Sequence, residues 1–214
     1  MTKKRSSAAA AVLACAALLP GAGCASEWNF SVFLDDKPIG EHRFSVTGPA
    51  EARKVLSEAG FAVKLLGLTV YRYRHRAVEQ WRGDCLRTLD ASTDDDGETS
   101  RVRAEPAGEG LAVMVDPGAS AQTLPGCVMS FAYWNPAIRR QARLLNAQTG
   151  RHESVQVRSM GSGMLDVRGR PVTAARWRIE GAAQPIDVWY SAAGDWLGLD
   201  STVEGGRKLS YRLK

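Results

Sequence analysis

From Trp28 onward the chain is a succession of short segments in which apolar and polar residues alternate. The apolar residues of the first segment share one parity: Trp28, Phe30, Val32 and Leu34. Because successive side chains of an extended strand point to opposite faces, these four would lie on one face of a strand. Turn-forming residues follow at 35–40, and similar segments recur along the chain. Short alternating segments separated by turns are typical of antiparallel sheets, so the sequence predicts an all-β fold.

The segments predict about ten strands in a single domain at residues 26–214, because no repeat or linker divides this region. One short helix is predicted to begin at Asn135. Asn is a favoured N-cap, Pro136 suits the first helical position, and apolar residues follow at spacings of four and three. A sheet of this size is expected to be strongly curved or barrel-like. A helix across its open side would enclose a cavity.

The first 25 residues have the pattern of an export signal. Three cationic residues at 3–5 precede an apolar run at 8–19. This run has the length of a signal-peptide core and is too short to span a bilayer of about 30 Å. The sequence therefore predicts a signal peptide over residues 1–25 and a location in the periplasm or cell envelope.

Two interpretations of the cleavage site remain open. In the first, residues 21–24 form a lipobox, the signal is 1–23, and Cys24 becomes the acylated first residue. Gly21 stands where such a motif usually has leucine. In the second, an ordinary signal peptidase cuts just after Cys24 or Ala25 and releases a soluble domain. Contact with a membrane is expected only if Cys24 is acylated.

The positive net charge belongs mostly to this leader. The formal charge of the chain is +5, but three of its 28 Lys and Arg residues lie at 3–5. Without them 25 Lys and Arg residues remain against 23 Asp and Glu residues, which leaves a net charge of about +2. The composition therefore gives no support for binding to nucleic acid.

Outside the leader the chain has one pair of cysteines, Cys85 and Cys127. In an oxidising compartment an even pair predicts one disulfide. It would close a loop of about forty residues, worth roughly 3–4 kcal/mol in the chain-entropy model. A metal site is not expected, because there is no CxxC motif and the three histidines lack ligand spacing. No cofactor is predicted.

The segment at 70–82 is the most unusual part of the sequence, because one parity is rich in aromatic residues and the other in arginine. The candidate ligand-binding residues of the aromatic parity are Tyr71, Tyr73, His75, Glu79 and Trp81. They would either line a cavity for an apolar ligand, with His75 or Glu79 orienting its polar end, or form plain core. The arginines would be a solvated outer face, or would face an anionic membrane or lipid headgroup.

A second candidate segment lies before the predicted helix, at Tyr133, Trp134 and Asn135. Two adjacent large aromatic side chains would form either the rim of a pocket or the anchor of the helix. Each of the two aromatics needs a partner for its polar hydrogen if it is buried.

No recognised catalytic motif is present. The chain lacks G-x-S-x-G, HExxH and a phosphate-binding glycine loop. His75 and Glu79 are the one acid–base combination on a predicted strand face. Four strand residues separate them by about 13 Å, so they could bracket a substrate but could not bond directly. No catalytic residue is therefore assigned.

Several short motifs occur in an order that resembles a family of exported bacterial proteins of unknown function. They are FLDDKPIG at 33–40, YRHR at 73–76, EQW at 79–81, TDDDG at 93–97, YWN at 133–135 and QTG at 148–150. VWYS at 188–191 and WLGL at 196–199 also resemble a wider group of uncharacterised periplasmic β-barrel-like proteins. The resemblance implies an antiparallel, barrel-like domain and supplies no catalytic residues. The expected architecture is also similar to that of lipoprotein-carrier half-barrels, which hold acyl chains in an apolar hollow.

Together these features predict a non-enzymatic envelope protein that binds a lipid, acyl chain or other lipophilic small molecule in a curved-sheet cavity. One alternative is a structural or assembly protein that docks another envelope protein through an exposed patch or open sheet edge. Another is an enzyme acting on an envelope metabolite, with His75 and Glu79 as its acid–base groups.

Overall fold

The computed structural model describes residues 25–214. Cys24 and residues 1–24 of the predicted signal peptide lie outside the described residues. The described residues contain fifteen strands, more than the ten or so predicted, and the predicted all-β class is confirmed. The strands are β1 Ser26–Leu34, β2 Lys37–Thr47, β3 Arg53–Leu65, β4 Leu68–Arg82, β5 Cys85–Asp95, β6 Glu98–Ala107, β7 Gly110–Asp116, β8 Ala119–Leu124, β9 Arg143–Leu145, β10 His152–Ser154, β11 Gln156–Val167, β12 Arg170–Glu180, β13 Ile186–Tyr190, β14 Trp196–Thr202 and β15 Lys208–Leu213.

Thirteen strands form one antiparallel sheet, in the order β11-β12-β13-β14-β15-β1-β2-β3-β4-β5-β6-β7-β8. Most neighbours in this order are also neighbours in the chain, as expected for hairpins joined by short turns. The exception is the pairing of the first strand with the last, in which Phe30 lies opposite Leu213. β9 and β10 form a separate two-stranded sheet. The main sheet therefore has the N-terminal strand in its interior and β8 and β11 at its edges.

The sheet is strongly curved, as the contacts of two adjacent residues show. The ring of Trp134 lies 5.4 Å from that of Trp81 on β4, and the carbonyl of Tyr133 accepts a 2.8 Å hydrogen bond from the hydroxyl of Tyr190 on β13. β4 and β13 are six places apart in the sheet, a distance of about 29 Å if the sheet were flat. One short segment can reach both strands only because the sheet wraps around it.

We call residues 125–155, which connect β8 to β11, the crossing segment. Its apolar side chains fill the concave side of the sheet and are fully or almost fully buried: Val128, Met129, Ile138, Leu144 and Leu145. A disulfide between Cys85 and Cys127 ties the start of this segment to β5, as the sequence predicts. The amide of Leu86 donates to the carbonyl of Val128 at 2.8 Å beside it. The hydrophobic core thus lies between the sheet and its own crossing segment.

The predicted helix is present only as a short 3-10 helix at Pro136–Arg140. Its start is as predicted, since the Asn135 side chain accepts a 2.9 Å bond from the amide of Ala137. The chain then becomes extended at Gln141 and enters β9, because both Leu144 and Leu145 are drawn into the core. Two further 3-10 helices lie at Ala50–Ala52 and Glu204–Gly206. Within residues 25–214 none of the helices has the length and apolar composition required to cross a bilayer.

Candidate functional site

A cavity of about 260 Å³ lies between the inner faces of β2–β4 and the crossing segment. This volume is a little below the about 300–1,000 Å³ typical of ligand pockets. Strand residues in the wall are His42, Phe44, Val55, Ser57, His75, Ala77, Glu79, Ile186, Ser201 and Thr202; those from the crossing segment and loops are Ser130, Phe131, Ala132, Tyr133, Trp134, Asn146, Ala147, Gln148, Ala182, Ala183, Gln184 and Val203. The wall is mainly apolar and carries one carboxyl group and two imidazoles.

The alternation of β4 positions the central part of this wall. His75, Ala77 and Glu79 are buried on the concave side, whereas Arg72, Arg74 and other residues of the opposite parity are exposed. The aromatic parity of the segment at 70–82 therefore points inward and the arginine parity points to solvent. This orientation follows from the apolar side chains of β4, such as Trp81, which are buried against the crossing segment on the concave side.

Four of the eight predicted site residues line the cavity: His75, Glu79, Tyr133 and Trp134. The other four do not. Tyr73 is buried and stacks on Phe61 with 5.2 Å between ring centroids, and Trp81 is buried in the core. Tyr71 is half-exposed and donates a 2.6 Å bond to Asp95. Asn135 serves as the N-cap and also donates to Asp84 at 2.9 Å.

The carboxyl group of Glu79 is buried and fully engaged. Its Oε1 accepts a 2.8 Å bond from the hydroxyl of Ser130, and its Oε2 accepts a 2.9 Å bond from Nε1 of Trp81. Burial raises the pKa of Glu79, although both hydrogen bonds oppose the shift. Burial in the cavity wall therefore favours the neutral acid more than water does, and Trp81, two residues further along the same face of β4, holds the carboxyl group in place.

Two histidines of the wall are also kept neutral by burial. His75 shares a 3.0 Å hydrogen bond between Nδ1 and Oγ1 of Thr93, and burial lowers the pKa of its ring to about 4. His42 bonds Oγ of Ser57 through Nε2 at 2.7 Å, and its pKa is lowered to about 3, chiefly by burial and secondarily by His75. Both rings are uncharged at neutral pH.

Two buried nitrogen atoms of the wall residues have no hydrogen-bond partner among residues 25–214. They are Nδ1 of His42 and Nε1 of Trp134. Buried polar atoms in proteins are nearly always paired, so each of these requires an explanation. Both residues line the cavity, but the two nitrogen atoms themselves have almost no accessible surface, so a molecule inside the cavity could bond them only after the ring turns. Trp134 can only donate, whereas His42 donates or accepts according to its tautomer.

His42 and Ser57 were not among the predicted site residues. His42 has the same parity as Phe44 on β2, which lies directly beside β3 in the sheet. That shared parity was the available signal, because it places the histidine on the inner face with an aromatic neighbour. The contribution of the loop at 182–184 and of the end of β14 with Val203 has no comparable signal, since it depends on the closing of the sheet.

The described residues do not assemble a recognised catalytic or metal centre. Within residues 25–214 no group of three or more His, Cys, Asp or Glu side chains could hold a metal ion. The hydroxyl of Ser130 bonds the carboxyl group of Glu79 instead of a histidine. The wall does contain one serine–histidine contact, between Oγ of Ser57 and Nε2 of His42 at 2.7 Å. Nδ1 of that ring has no partner among residues 25–214, so the carboxylate that orients the base in a catalytic triad is missing there.

Fold and cavity together define a barrel-like, all-β protein with a small interior pocket. The chain belongs to the family described as "Domain of unknown function (DUF6134)", whose model matches residues 30–214. This confirms the predicted resemblance to a family of unknown function. No curated protein matches the chain.

The fold is similar to that of a solved bacterial structure, the "Beta-barrel-like Protein of Domain of Unknown Function DUF1849 from Brucella abortus". The two share 12% sequence identity with a TM-score of 0.64, over 88% of this chain and 94% of that chain. At this identity the likeness shows the fold alone.

Proposed function

We propose that this chain is an exported, non-enzymatic envelope protein that binds a small lipophilic molecule in the cavity. The predicted signal peptide supports export, and the mainly apolar wall favours a lipophilic ligand. A volume of about 260 Å³ suits a compact ligand or one segment of an acyl chain.

The observation that carries the proposal is the cavity with its mainly apolar wall, and two wall residues add buried nitrogens without a partner among residues 25–214, Nδ1 of His42 and Nε1 of Trp134. Leaving a buried donor unpaired costs about 1–3 kcal/mol, which a ligand with a hydrogen-bond acceptor would recover. Binding of such a ligand therefore gains both apolar contact and the missing bonds.

The polar end of the ligand is expected to be uncharged. No Lys or Arg is among the residues that line the cavity, its histidines are neutral, and the pKa of Glu79 is raised. Burying a carboxylate there without a cation would be costly. An ester, amide, alcohol or protonated acid fits the wall better than an anion.

Native mass spectrometry of the full-length chain, exported in a bacterial host, is the first test. We expect a bound mass that is lost on denaturation and can be extracted as lipid. The denatured mass also reports cleavage, acylation of Cys24 and the two-dalton deficit of the disulfide. A protein without bound mass that also fails to bind the neutral probe N-phenyl-1-naphthylamine would overturn the proposal.

Two variants test whether the ligand occupies this cavity. Ala147→Trp places a large ring in the wall and should abolish probe binding, whereas Ala142→Trp, at an exposed position of the same segment, should not. Equal probe binding by both variants would contradict the assignment of the site.

A third variant tests the hydrogen bond. Trp134→Phe keeps an aromatic ring but removes Nε1, and should weaken displacement of the probe by methyl octanoate about tenfold. Trp189→Phe is the matched control, because its Nε1 already donates to Asp200 at 2.8 Å on the outer face. A loss of displacement in both variants would indicate a general effect of removing an indole.

A further inference from the structure

The hairpin between β3 and β4 continues past the residues with which its two strands pair in the rest of the sheet. Pairing of β3 with β2 ends at Phe61, and pairing of β4 with β5 ends at Tyr73. β3 and β4 continue to pair with each other as far as Leu65 and Leu68. We call residues 62–72 the ribbon; it extends about 13 Å past its last partner on the β3 side.

The end of the ribbon is apolar and exposed. All residues from Lys64 to Val70 are exposed, and the large apolar side chains among them are Leu65 at 63%, Leu66 at 96%, Leu68 at 73% and Val70 at 52%. Contiguous exposed apolar side chains of this kind mark interaction sites in soluble proteins.

The turn at the end of the ribbon is unusual in its chemistry. Leu66 has a φ of 50° and Gly67 a φ of 83°, so both central residues are left-handed. Asp, Asn and Gly are favoured at such positions. The left-handed turns at 35–36 and 96–97 use Asp or Gly, and the turn at 168–169 has Arg168 before its glycine, so Leu66 is the one large apolar residue in these turns. A leucine there gives up local stability and places its side chain at the point farthest from the core.

The charges beside this tip are basic. Lys64 and Arg72 are the charged residues of the ribbon, and Arg74 follows on the exposed face of β4. A groove of about 600 Å³ below the tip is lined by apolar residues together with Lys37, Lys64 and Arg207. Arg207 is paired with Asp35 at 2.7 Å, and Asp36 is adjacent to Lys37, so Lys64 is the cation of the groove that is free to face an anion.

Acidic residues near the ribbon lie in two turns. Asp35, paired with Arg207, and the exposed Asp36 precede Lys37 beside the groove, and the others lie at the base of the ribbon. The turn after β5 is at the level of Arg72, where the side chain of Asp96 accepts a 3.1 Å bond from the amide of that residue. Asp95 accepts the bond from Tyr71 at the same level. Carboxylates at this height would remain in water while the residues from Lys64 to Val70 enter an interface.

We propose that the ribbon docks the protein on the surface of an anionic lipid bilayer, with its leucines in the interface and its basic residues against the headgroups. Aliphatic side chains beside cations fit such a surface, because burial of apolar area and attraction to anionic lipid act together. The seven exposed residues from Lys64 to Val70 are far fewer than the about 20–30 per side of a stable protein interface. The inference is independent of the cavity and of its ligand.

This docking differs from attachment through Cys24. β1 begins at Ser26, which pairs with Val46 at the end of the sheet opposite the ribbon. An acyl group at Cys24 would therefore bring the other end of the sheet to a membrane. The test uses the full exported chain with Cys24→Ser in all samples, so that no acyl anchor contributes.

The experiment is co-sedimentation with vesicles of equal parts phosphatidylglycerol and phosphatidylcholine, and with vesicles of phosphatidylcholine alone. We expect stronger binding to the anionic vesicles and at least about a tenfold loss of partitioning for Leu66→Asp, because one leucine leaves the interface. Lys64→Glu should weaken binding to the anionic vesicles and leave binding to phosphatidylcholine unchanged.

Leu66→Asp contains its own folding control, since aspartate is favoured at a left-handed turn position and should not lower thermal stability. Met164→Asp is the matched surface control, because Met164 is 63% exposed on the edge strand β11. It should change partitioning by less than twofold. Absence of binding to anionic vesicles, or equal binding by Leu66→Asp, overturns the proposal. A dimer that Leu66→Asp converts to a monomer would instead assign the ribbon to contact between two copies.

Discussion

At the residue scale, Glu79 places an ionisable carboxyl group where water cannot solvate its charge. Burial raises its pKa above the ordinary value of 4.5 in the folded protein. Folding therefore favours the protonated form more than unfolding does. The resulting stability is fully present below pH 4.5 and is lost as the pH rises through the folded pKa.

Glu79→Gln should remove this dependence. The amide can still accept the bond from Trp81 and donate to Ser130, and it carries no charge at any pH. We expect the variant and the wild type to have similar free energies of unfolding near pH 4, and the variant to be more stable at pH 7. Urea unfolding of both proteins at both pH values measures the difference in stability between them. The histidines titrate in both proteins and therefore do not affect this difference. A difference in stability between variant and wild type that is the same at both pH values would contradict the assignment of the pH dependence to Glu79.

The candidate site could be half predicted from the sequence. Parity placed His75 and Glu79 on one face of β4, and the structure puts both in the cavity wall. The same parity also selected Tyr73 and Trp81, which are core. Position along the strand decides between the two outcomes, because the crossing segment fills some parts of the concave face and leaves others open. That depends on long-range packing, which local pattern does not report.

At the element scale, the strands were predictable and the helix was not. Hairpin strands depend on alternation and turns, which are local signals. The helix prediction rested on the spacing of Ile138, Ala142 and Leu145, but Ala142 is exposed while its two neighbours in that pattern are buried. Leu144 is buried as well, and two consecutive buried leucines suit the segment between sheet and cavity better than a helix face. Tertiary packing overrode a weak helical signal there.

Gly40 lies where β2 and β3 approach too closely for a side chain. A Cβ on Gly40 would overlap the carbonyl oxygen of Gly60 on the paired strand, whereas a Cβ on Gly60 would meet no atom within 4 Å. Gly40→Ala should therefore lower the free energy of unfolding by about 2–3 kcal/mol. Gly60→Ala is the matched control and should stay within about 0.5 kcal/mol of the wild type. Chemical denaturation checks both, and equal losses would refute the steric explanation.

At the scale of the whole molecule, the sheet is held together through β15. It pairs with β14 on one side and with β1 on the other. Without it the main sheet would separate into β11–β14 and β1–β8. The crossing segment would then lose one of the two walls against which it packs.

A chain that ends after Arg207 should consequently fail to fold cooperatively. We expect loss of the near-ultraviolet circular dichroism signal and rapid digestion by protease, because both halves expose unpaired strand edges and apolar faces. A chain that lacks only Lys214 should keep the fold, because the pairing of β1 with β15 from Leu209 to Leu213 remains. What it loses at the chain end includes the bond from the Lys214 amide to the carbonyl of Asn29 and an ion pair with Glu41. A sharp thermal transition in the shorter chain would show that β1 needs no C-terminal partner.

The pairing of β1 with β15 also sets an order in time. Ser26–Leu34 is made well before the strand that completes its pairing, Lys208–Leu213. Until Lys208–Leu213 leaves the ribosome, one edge of β1 has no partner. Chains cut short before this strand by premature termination or proteolysis would stay open between β1 and β14 and remain substrates for degradation. The topology thus makes the N-terminal strand wait, during synthesis, for a strand that is made much later.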